Sequence, residues 1–237
     1  MFISCDAKQL EWRTIVELSQ DQVALQEILN GQDTHELNRV AFNLPSRLIA
    51  KIYLFRTIFR GSGWSFANDP DFSHVSASTE FWEEINTKFF AKYHGIDAQH
   101  HLWKNLVQQG LPILSPLGRE WELPLLNKYN KINWTQITNY PVQGTGADIM
   151  MIARVSFFKR LKQSGLPVKL IQTVHDSIVC DGEEKYVQDI VNLYHAVFKD
   201  IQMNIKKIFN YEWITPLECE CYVGKNQKEH IDVKPTL

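Results

Sequence analysis

The chain is short of cysteine, of long apolar runs and of net charge, and each shortage removes a class of protein. Four cysteines, Cys5, Cys180, Cys219 and Cys221, among 237 residues are too few for a disulfide scaffold. A closed zinc site needs about four ligands, and the Cys219-x-Cys221 pair has no matching second pair, so all four are read as reduced thiols. Charges interrupt every apolar run before membrane-spanning length, and MFISCDAKQLEWR has no basic region followed by a signal-like apolar stretch. A cytoplasmic location without membrane contact is therefore expected. The formal charge of −2 lacks the basic excess that marks many nucleic-acid-binding domains. Charge is uneven, however: Arg154, Lys159, Arg160, Lys162 and Lys169 form either a stripe along a phosphate backbone or a solvated helix face.

What is present is enough for a core. Hydrophobic residues make up 44% and aromatics 12%, which suits one domain or two intimate subdomains. FISC reads as a short strand delivering Asp6, and WRTIVELSQDQVALQEILNG has helical periodicity up to Gly31. Asn43-Leu-Pro-Ser reads as a helix start with Pro45 in the first turn, and RLIAKIYLFRTIFR continues the helix until Gly61 and Gly63. A loop over 64–74 and the aromatic-rich helix STEFWEEINTKFFAKYHG follow, then a hairpin in LPILSPLGREWELPLL. GADIMMIARVSFFKRLKQSG is strongly helical, PVKLIQTVHDSIVCDG is a hairpin with Asp176 at its turn, and another helix runs through Phe209. ITPLECECYVG supplies a last strand, and EHIDVKPTL reads as a loose tail. Strands at the start, middle and end, split by a helical insertion, predict one antiparallel sheet in an α+β fold.

Three constellations carry chemistry. Asp6 and Asp176, each at a strand end, could converge to hold two divalent cations roughly 3.5 to 4 Å apart, which would activate a hydroxyl and stabilise a departing oxygen. The plainer alternative is a turn-capping aspartate. Arg47, Lys51, Phe55 and Phe59 recur at every fourth position and predict a stripe of two cations followed by two aromatics, fit for a triphosphate, a sugar and a base. An amphipathic helix with a phenylalanine core stripe gives the same pattern. Asn139-Tyr-Pro-Val-Gln143 reads as a turn entering a helix, and its amides could donate to the minor-groove acceptors that every base pair presents. Helix capping by Asn139 and a backbone bond from Gln143 are the plainer reading.

Order and spacing together resemble the family A, DNA polymerase I-like, DNA polymerases. Asp6-Ala-Lys-Gln-Leu-Glu11-Trp-Arg13 is similar to motif A, Arg47-x-x-x-Lys51-x-x-x-Phe55-x-x-x-Phe59 to motif B and Val174-His175-Asp176 to motif C. Gly-Gln-Asp33-Thr-His35 and Asn139-x-Pro-x-Gln143-Gly-Thr stand where that family has equivalent elements, and five motifs in order are far more specific than one. FRTIFRGSG and SFANDPDF look closest to phage-type members.

The resemblance implies a polymerase palm, an antiparallel sheet flanked by helices, with motif A in 1–20 and the motif C hairpin and last strand in 136–237. A helical fingers subdomain carrying motif B would occupy 21–135. It implies DNA synthesis from dNTPs on a primer-template, with Asp6, Asp176 and the Ala7 carbonyl holding two Mg²⁺ ions, for which Mn²⁺ can substitute. Arg47, Lys51 and His35 would contact the incoming triphosphate, and Lys51 would also donate a proton to pyrophosphate. Phe55 would lie against the sugar, Phe59 near the template base and His175 at the primer end, while Asn139 and Gln143 probe the new duplex. Glu11 would block a ribose 2′-hydroxyl, which selects DNA over the related single-subunit RNA polymerases.

Three departures stand out: Phe59-Arg60 replaces the usual Tyr-Gly, Ser177 the glutamate of bacterial enzymes, and Thr135 an arginine of many members. The thumb and any 3′-5′ exonuclease have no counterpart in these motifs. A separate polypeptide carrying the thumb, with or without the exonuclease, is thus an expected partner, as in a split polymerase. The rival expectation is a non-catalytic nucleic-acid-binding or scaffold fragment.

Overall fold

The computed structural model describes residues 1–226 and 230–236. The chain divides into two compact units, 1–10 with 144–237, and 11–143.

The first unit is a five-stranded sheet in the order β4-β5-β1-β6-β7. Its strands are β1 (Phe2–Ala7), β4 (Lys169–Val174), β5 (Ser177–Asp181), β6 (Cys219–Gly224) and β7 (His230–Val233), and every pairing is antiparallel. β1, although first in sequence, lies in the middle, with Phe2 opposite Asp181 on one side and Gly224 on the other. Alternation sets its faces: Ile3, Cys5 and Ala7 are buried, as are Cys219, Cys221 and Val223 on β6. Helix α9 (Val187–Phe209) packs against β1 and β6, burying a stripe that includes Ile190, Tyr194, Val197, Ile201 and Ile205. Tyr194 stacks on Phe157 of α8 (Trp134–Ser164) at 4.1 Å, and its hydroxyl donates to the Ile178 carbonyl at 3.1 Å, so the ring is buried without stranding its polar tip.

The segment expected as a loose tail is ordered instead. Within EHIDVKPTL, Glu229 and Leu237 lie outside the described residues, but β7 pairs with β6 through Tyr222 opposite Asp232. The chain beyond it is fastened to α9 by Gln188 donating to the Lys234 carbonyl (3.0 Å) and Asn192 donating to Thr236 Oγ1 (3.0 Å). Tertiary partners thus override a composition that reads as coil.

The second unit is helical: α1 (Leu10–Ser19), whose first residue lies at the division, α2 (Gln22–Leu29), α3 (Thr34–Ala41), α4 (Arg47–Thr57), α5 (Gly63–Ala67), α6 (Thr79–Lys92) and α7 (His94–Gln108), with a hairpin of β2 (Ile113–Leu114) and β3 (Glu120–Trp121). Its core is aromatic. Tyr53, Phe66, Phe72 and Trp82 are fully buried, with Tyr53–Phe66 centroids at 5.2 Å and Phe72–Trp82 at 5.1 Å. Trp12, Ile15, Val16, Ile137 and Val142 belong to the same core, which explains why the division falls at 10/11 and 143/144 rather than at the expected 20/21 and 135/136.

Serines begin three of these helices: Ser46, Ser62 and Ser78 accept from the backbone N–H groups of Ile49, Ser65 and Phe81. Pro45 therefore precedes the cap of α4 instead of lying in its first turn, and α5 occupies part of the expected 64–74 loop. The helix expected to run to Gly31 is two, because Gln20 adopts φ +52° and Asp21 restarts the chain by accepting from Ala24 N at 3.0 Å. The other Asp21 oxygen accepts from Gly95 N at 2.7 Å, at the start of α7, a helix not anticipated in the sequence.

Helix α8 begins at Trp134, twelve residues before the expected start at Gly146, and runs straight through Pro141. The ring deletes one backbone donor, yet Ile137 and Val142 are fully buried and Thr138 Oγ1 donates back to the Trp134 carbonyl at 2.9 Å, so packing sustains the helix. Asn139 is consequently inside the helix and caps nothing.

A β-carbon at Gly95 would meet Asp21 Cα at 2.8 Å. Gly95→Ala is expected to break the α1/α2 cap contact and destabilise the helical unit by about 1–3 kcal/mol, read as a lower urea midpoint; an unchanged midpoint would show that the contact has slack.

Candidate active site residues

In the sheet unit, the end of β1 that carries Asp6 lies beside the turn that carries Asp176. Asp176 sits in the two-residue turn between β4 and β5, where His175 adopts φ +52°, and Ala7 N donates to the Asp176 carbonyl at 2.9 Å. That bond fastens the end of β1 to the turn. Burial raises the Asp176 carboxyl above the ordinary range, and the Asp6 charge adds to the rise; a backbone hydrogen bond and His175 oppose it. Two carboxylates in mutual repulsion on partly buried backbone are hard oxygen donors, and a divalent cation between them would remove the repulsion. The residues fit such a cation.

The sequence reading missed what surrounds Asp6. Ser4 Oγ donates to Asp6 Oδ1 at 3.0 Å and lies 2.8 Å from Ser177 Oγ, so the serine that replaces glutamate in motif C joins a short chain that orients Asp6. Glu220 stands opposite Asp6 on β6, on the same sheet face, and accepts from the Tyr222 hydroxyl at 3.0 Å. Its signal was available: in Cys-Glu-Cys-Tyr, burial of both cysteines turns Glu220 and Tyr222 to the other face.

The basic residues of 154–169 do not form a stripe. Arg160 pairs with Asp200 at 2.6 Å, Lys162 lies over the Phe158 ring at 4.7 Å and Arg154 donates to Thr173 Oγ1 at 3.4 Å.

In the helical unit, α4 carries Arg47, Lys51 and Phe55 on one face, the two cations exposed and Phe55 half-buried. Phe59 is not the fourth member of that stripe, because the helix stops at Thr57 and Phe59 lies in the turn beyond it. Arg47 Nε donates to Asp33 Oδ2 at 2.6 Å, while Asp33 Oδ1 accepts from His35 N (3.1 Å) and Glu36 N (3.2 Å). One carboxylate thus caps α3 and holds the first cation of α4. His35 is 2% exposed, with its ring 6.0 Å from that of Phe55. Burial, helped by the charges of Arg47 and Lys51 and opposed by Asp33, pushes His35 down to about 4, so it is a neutral hydrogen-bonding group at pH 7.

Arg60, which replaces a glycine of the resembled motif, has φ +60°, a conformation costing an L-residue roughly 1–2 kcal/mol. Its guanidinium is held by Asp97, by His100 Nδ1 at 3.0 Å and over the Phe90 ring at 3.9 Å, which offsets that cost. Glu11 accepts from Gln143 Nε2 at 2.9 Å, and Gln143 and Asn139 share one face of α8 at a spacing of four.

The sheet unit thus presents a carboxylate pair at its rim, and the helical unit a helix face with two exposed cations. The family model for DNA polymerase family A matches residues 1–229, and the chain belongs to that family. It is 24% identical to DNA polymerase I of Aquifex aeolicus strain VF5 over 231 residues, which cover 90% of this chain and 39% of that protein. The DNA polymerase of Bacillus phage SP01 is 22% identical over 238 residues, 95% of this chain and 26% of that one. Among solved structures, the POL domain of Pol1 from M. smegmatis in complex with DNA primer-template and dNTP shares the fold, with a TM-score of 0.77 and 22% identity over 94% of this chain and 39% of that chain. The chain thus spans about two fifths or less of the length of these relatives.

His35 has a stability consequence. Its folded pKa lies below the ordinary value of about 6.5, so between pH 6.5 and 4 the unfolded chain binds more protons, and stability falls with falling pH by up to about 3 kcal/mol. Urea midpoints at pH 7 and 4.5 are expected to differ less in His35→Asn than in the parent; an equal drop would assign the acid sensitivity to other groups.

Proposed function

We propose that the chain catalyses template-directed DNA synthesis, joining deoxynucleotides from dNTPs to a primer 3′-hydroxyl. What supports this is membership of family A together with the hydrogen bond from Ala7 N to the Asp176 carbonyl, which fastens the strand end carrying Asp6 to the turn carrying Asp176. Asp6 and Asp176, with the Ala7 carbonyl, would hold two Mg²⁺ ions, and Glu220 would add a carboxylate on the same sheet face. When bound, the ions supply activation of the hydroxyl and neutralisation of the pyrophosphate charge. Arg47 and Lys51 bind the triphosphate, with neutral His35 as a hydrogen-bond donor beside them, and Lys51 gives a proton to the leaving pyrophosphate. Phe55 packs on the sugar, Phe59 lies near the template base, and His175 supports the primer end. Asn139 and Gln143, on one helical face, contact the duplex, and Glu11 excludes a 2′-hydroxyl. Such a protein works in the cytoplasm, that of a bacterial host if phage-encoded.

β4, at the edge of the sheet, exposes Ile171 and Val174, and an exposed apolar edge supports docking of a further polypeptide, a thumb-bearing one in the split-polymerase reading.

Primer extension with Mg²⁺ and dNTPs, run on the chain alone and with a thumb-bearing polypeptide, is the test. Asp176→Asn is expected to abolish extension with the circular-dichroism spectrum unchanged; full extension by that variant would sink the assignment and favour the scaffold reading. Glu11→Ala is expected to admit ribonucleotides, making the product cleavable by alkali, and an alkali-resistant product would show that Glu11 is not the gate.

A further inference from the structure

The buried face of β1 and β6 carries a second constellation that the polymerase reading does not use. Cys5, Cys219 and Cys221 are free and buried, at 0%, 6% and 1% exposure, and their sulfurs all lie within 4.8 Å of one another. Sheet register explains the cluster. Cys5 is directly opposite Cys221, and Cys219 is two residues along the same face. Zn–S bonds of about 2.3 Å set tetrahedral sulfurs about 3.8 Å apart, so small inward movements suffice. A candidate fourth donor lies on the helix over this face, outside the group of sulfurs within 4.8 Å of one another, and reaches them by rotation of its side chain. His195, on α9, which packs against both strands, acts electrostatically on the Cys221 thiol, and its Nε2 is buried without a hydrogen-bond partner.

We propose that Cys5, Cys219 and Cys221, with His195 Nε2 as fourth ligand, bind one Zn²⁺ ion between the sheet and α9. Three thiolates and an imidazole match the soft-to-borderline preference of Zn²⁺ and disfavour Mg²⁺, which takes oxygen. Binding replaces three S–H bonds by three Zn–S bonds and releases three protons to solvent, with no change of oxidation state. Alternation along β1 places Cys5 on the face opposite Asp6, so this ion is separate from those of phosphoryl transfer. Its role is structural: it ties β1 to β6 immediately behind the strand end that carries Asp6.

The test is substitution of Co²⁺ into the intact, metal-depleted chain. One equivalent is expected to give a sulfur-to-cobalt charge-transfer band in the near ultraviolet, which cobalt on Asp6 and Asp176 cannot produce, and Zn²⁺ is expected to abolish the band and raise the Tm. Cys219→Ala with Cys221→Ala should keep the fold, the positions being small and apolar, while losing both the band and the Tm shift. His195→Asn should weaken Zn²⁺ more than about tenfold, since even outer-shell partners contribute that much. Absence of the band and of the Tm shift in folded protein, unchanged affinity in His195→Asn, or a Cys5–Cys221 disulfide in protein isolated without reductant would each overturn the four-ligand site.

Discussion

The arrangement of the sheet unit depends on β1 being gripped from both sides. Six residues pair with β6 along their whole length and with β5 along most of it, and a further bond just beyond the ladder, from Ala7 N to the Asp176 carbonyl, ties the end of the strand to the turn that carries Asp176. Each ladder bond contributes only about 1 kcal/mol net. Alternation supplies the specificity, because a one-residue slip would exchange Ile3 and Cys5 for Ser4 and Asp6 in the core. Burial of the apolar face and presentation of Asp6 are thus one constraint seen from two sides.

In the helical unit a comparable economy centres on Asp33. A carboxylate at the N-terminus of α3 offsets the exposed backbone donors and the positive end of the helix dipole, and its second oxygen orients Arg47. The same helix places His35 against Phe55 in a dry setting where the imidazole stays neutral. Arg60 is fastened by unlike means, a partly buried ion pair and aromatic faces, at the turn that ends the α4 segment. The three residues show how one short stretch of chain distributes positive charge, hydrogen-bond donors and rigidity.

Much of this was legible in residue order. The β4–β5 hairpin, the Asp6 strand, α9 and the body of α4 have strong period-two or period-3.6 patterns flanked by clear breakers, and they form as expected. The misses have physical causes. Pro141 suggested a turn, but burial of Ile137 and Val142 outweighs one lost backbone bond. EHIDVKPTL has little local preference and gains its strand from β6. The split at Gln20–Asp21 was hidden because the cap's second partner, Gly95, lies far along the chain. Pairwise couplings such as Ser4 with Ser177, or Glu11 with Gln143, depend on register and helix phase, which only the folded chain provides.

The central place of β1 also governs the order of events in folding. Phe2 finds its partners at Asp181 and Gly224, so the placing of β1 depends on contacts of very high sequence separation, whereas the β4–β5 hairpin beside it closes locally. Topologies of high contact order fold slowly because loop closure precedes its reward. During synthesis the FISC strand lacks its first partner until β5 has emerged, and its other edge stays open and aggregation-prone until residues up to Gly224 have left the ribosome.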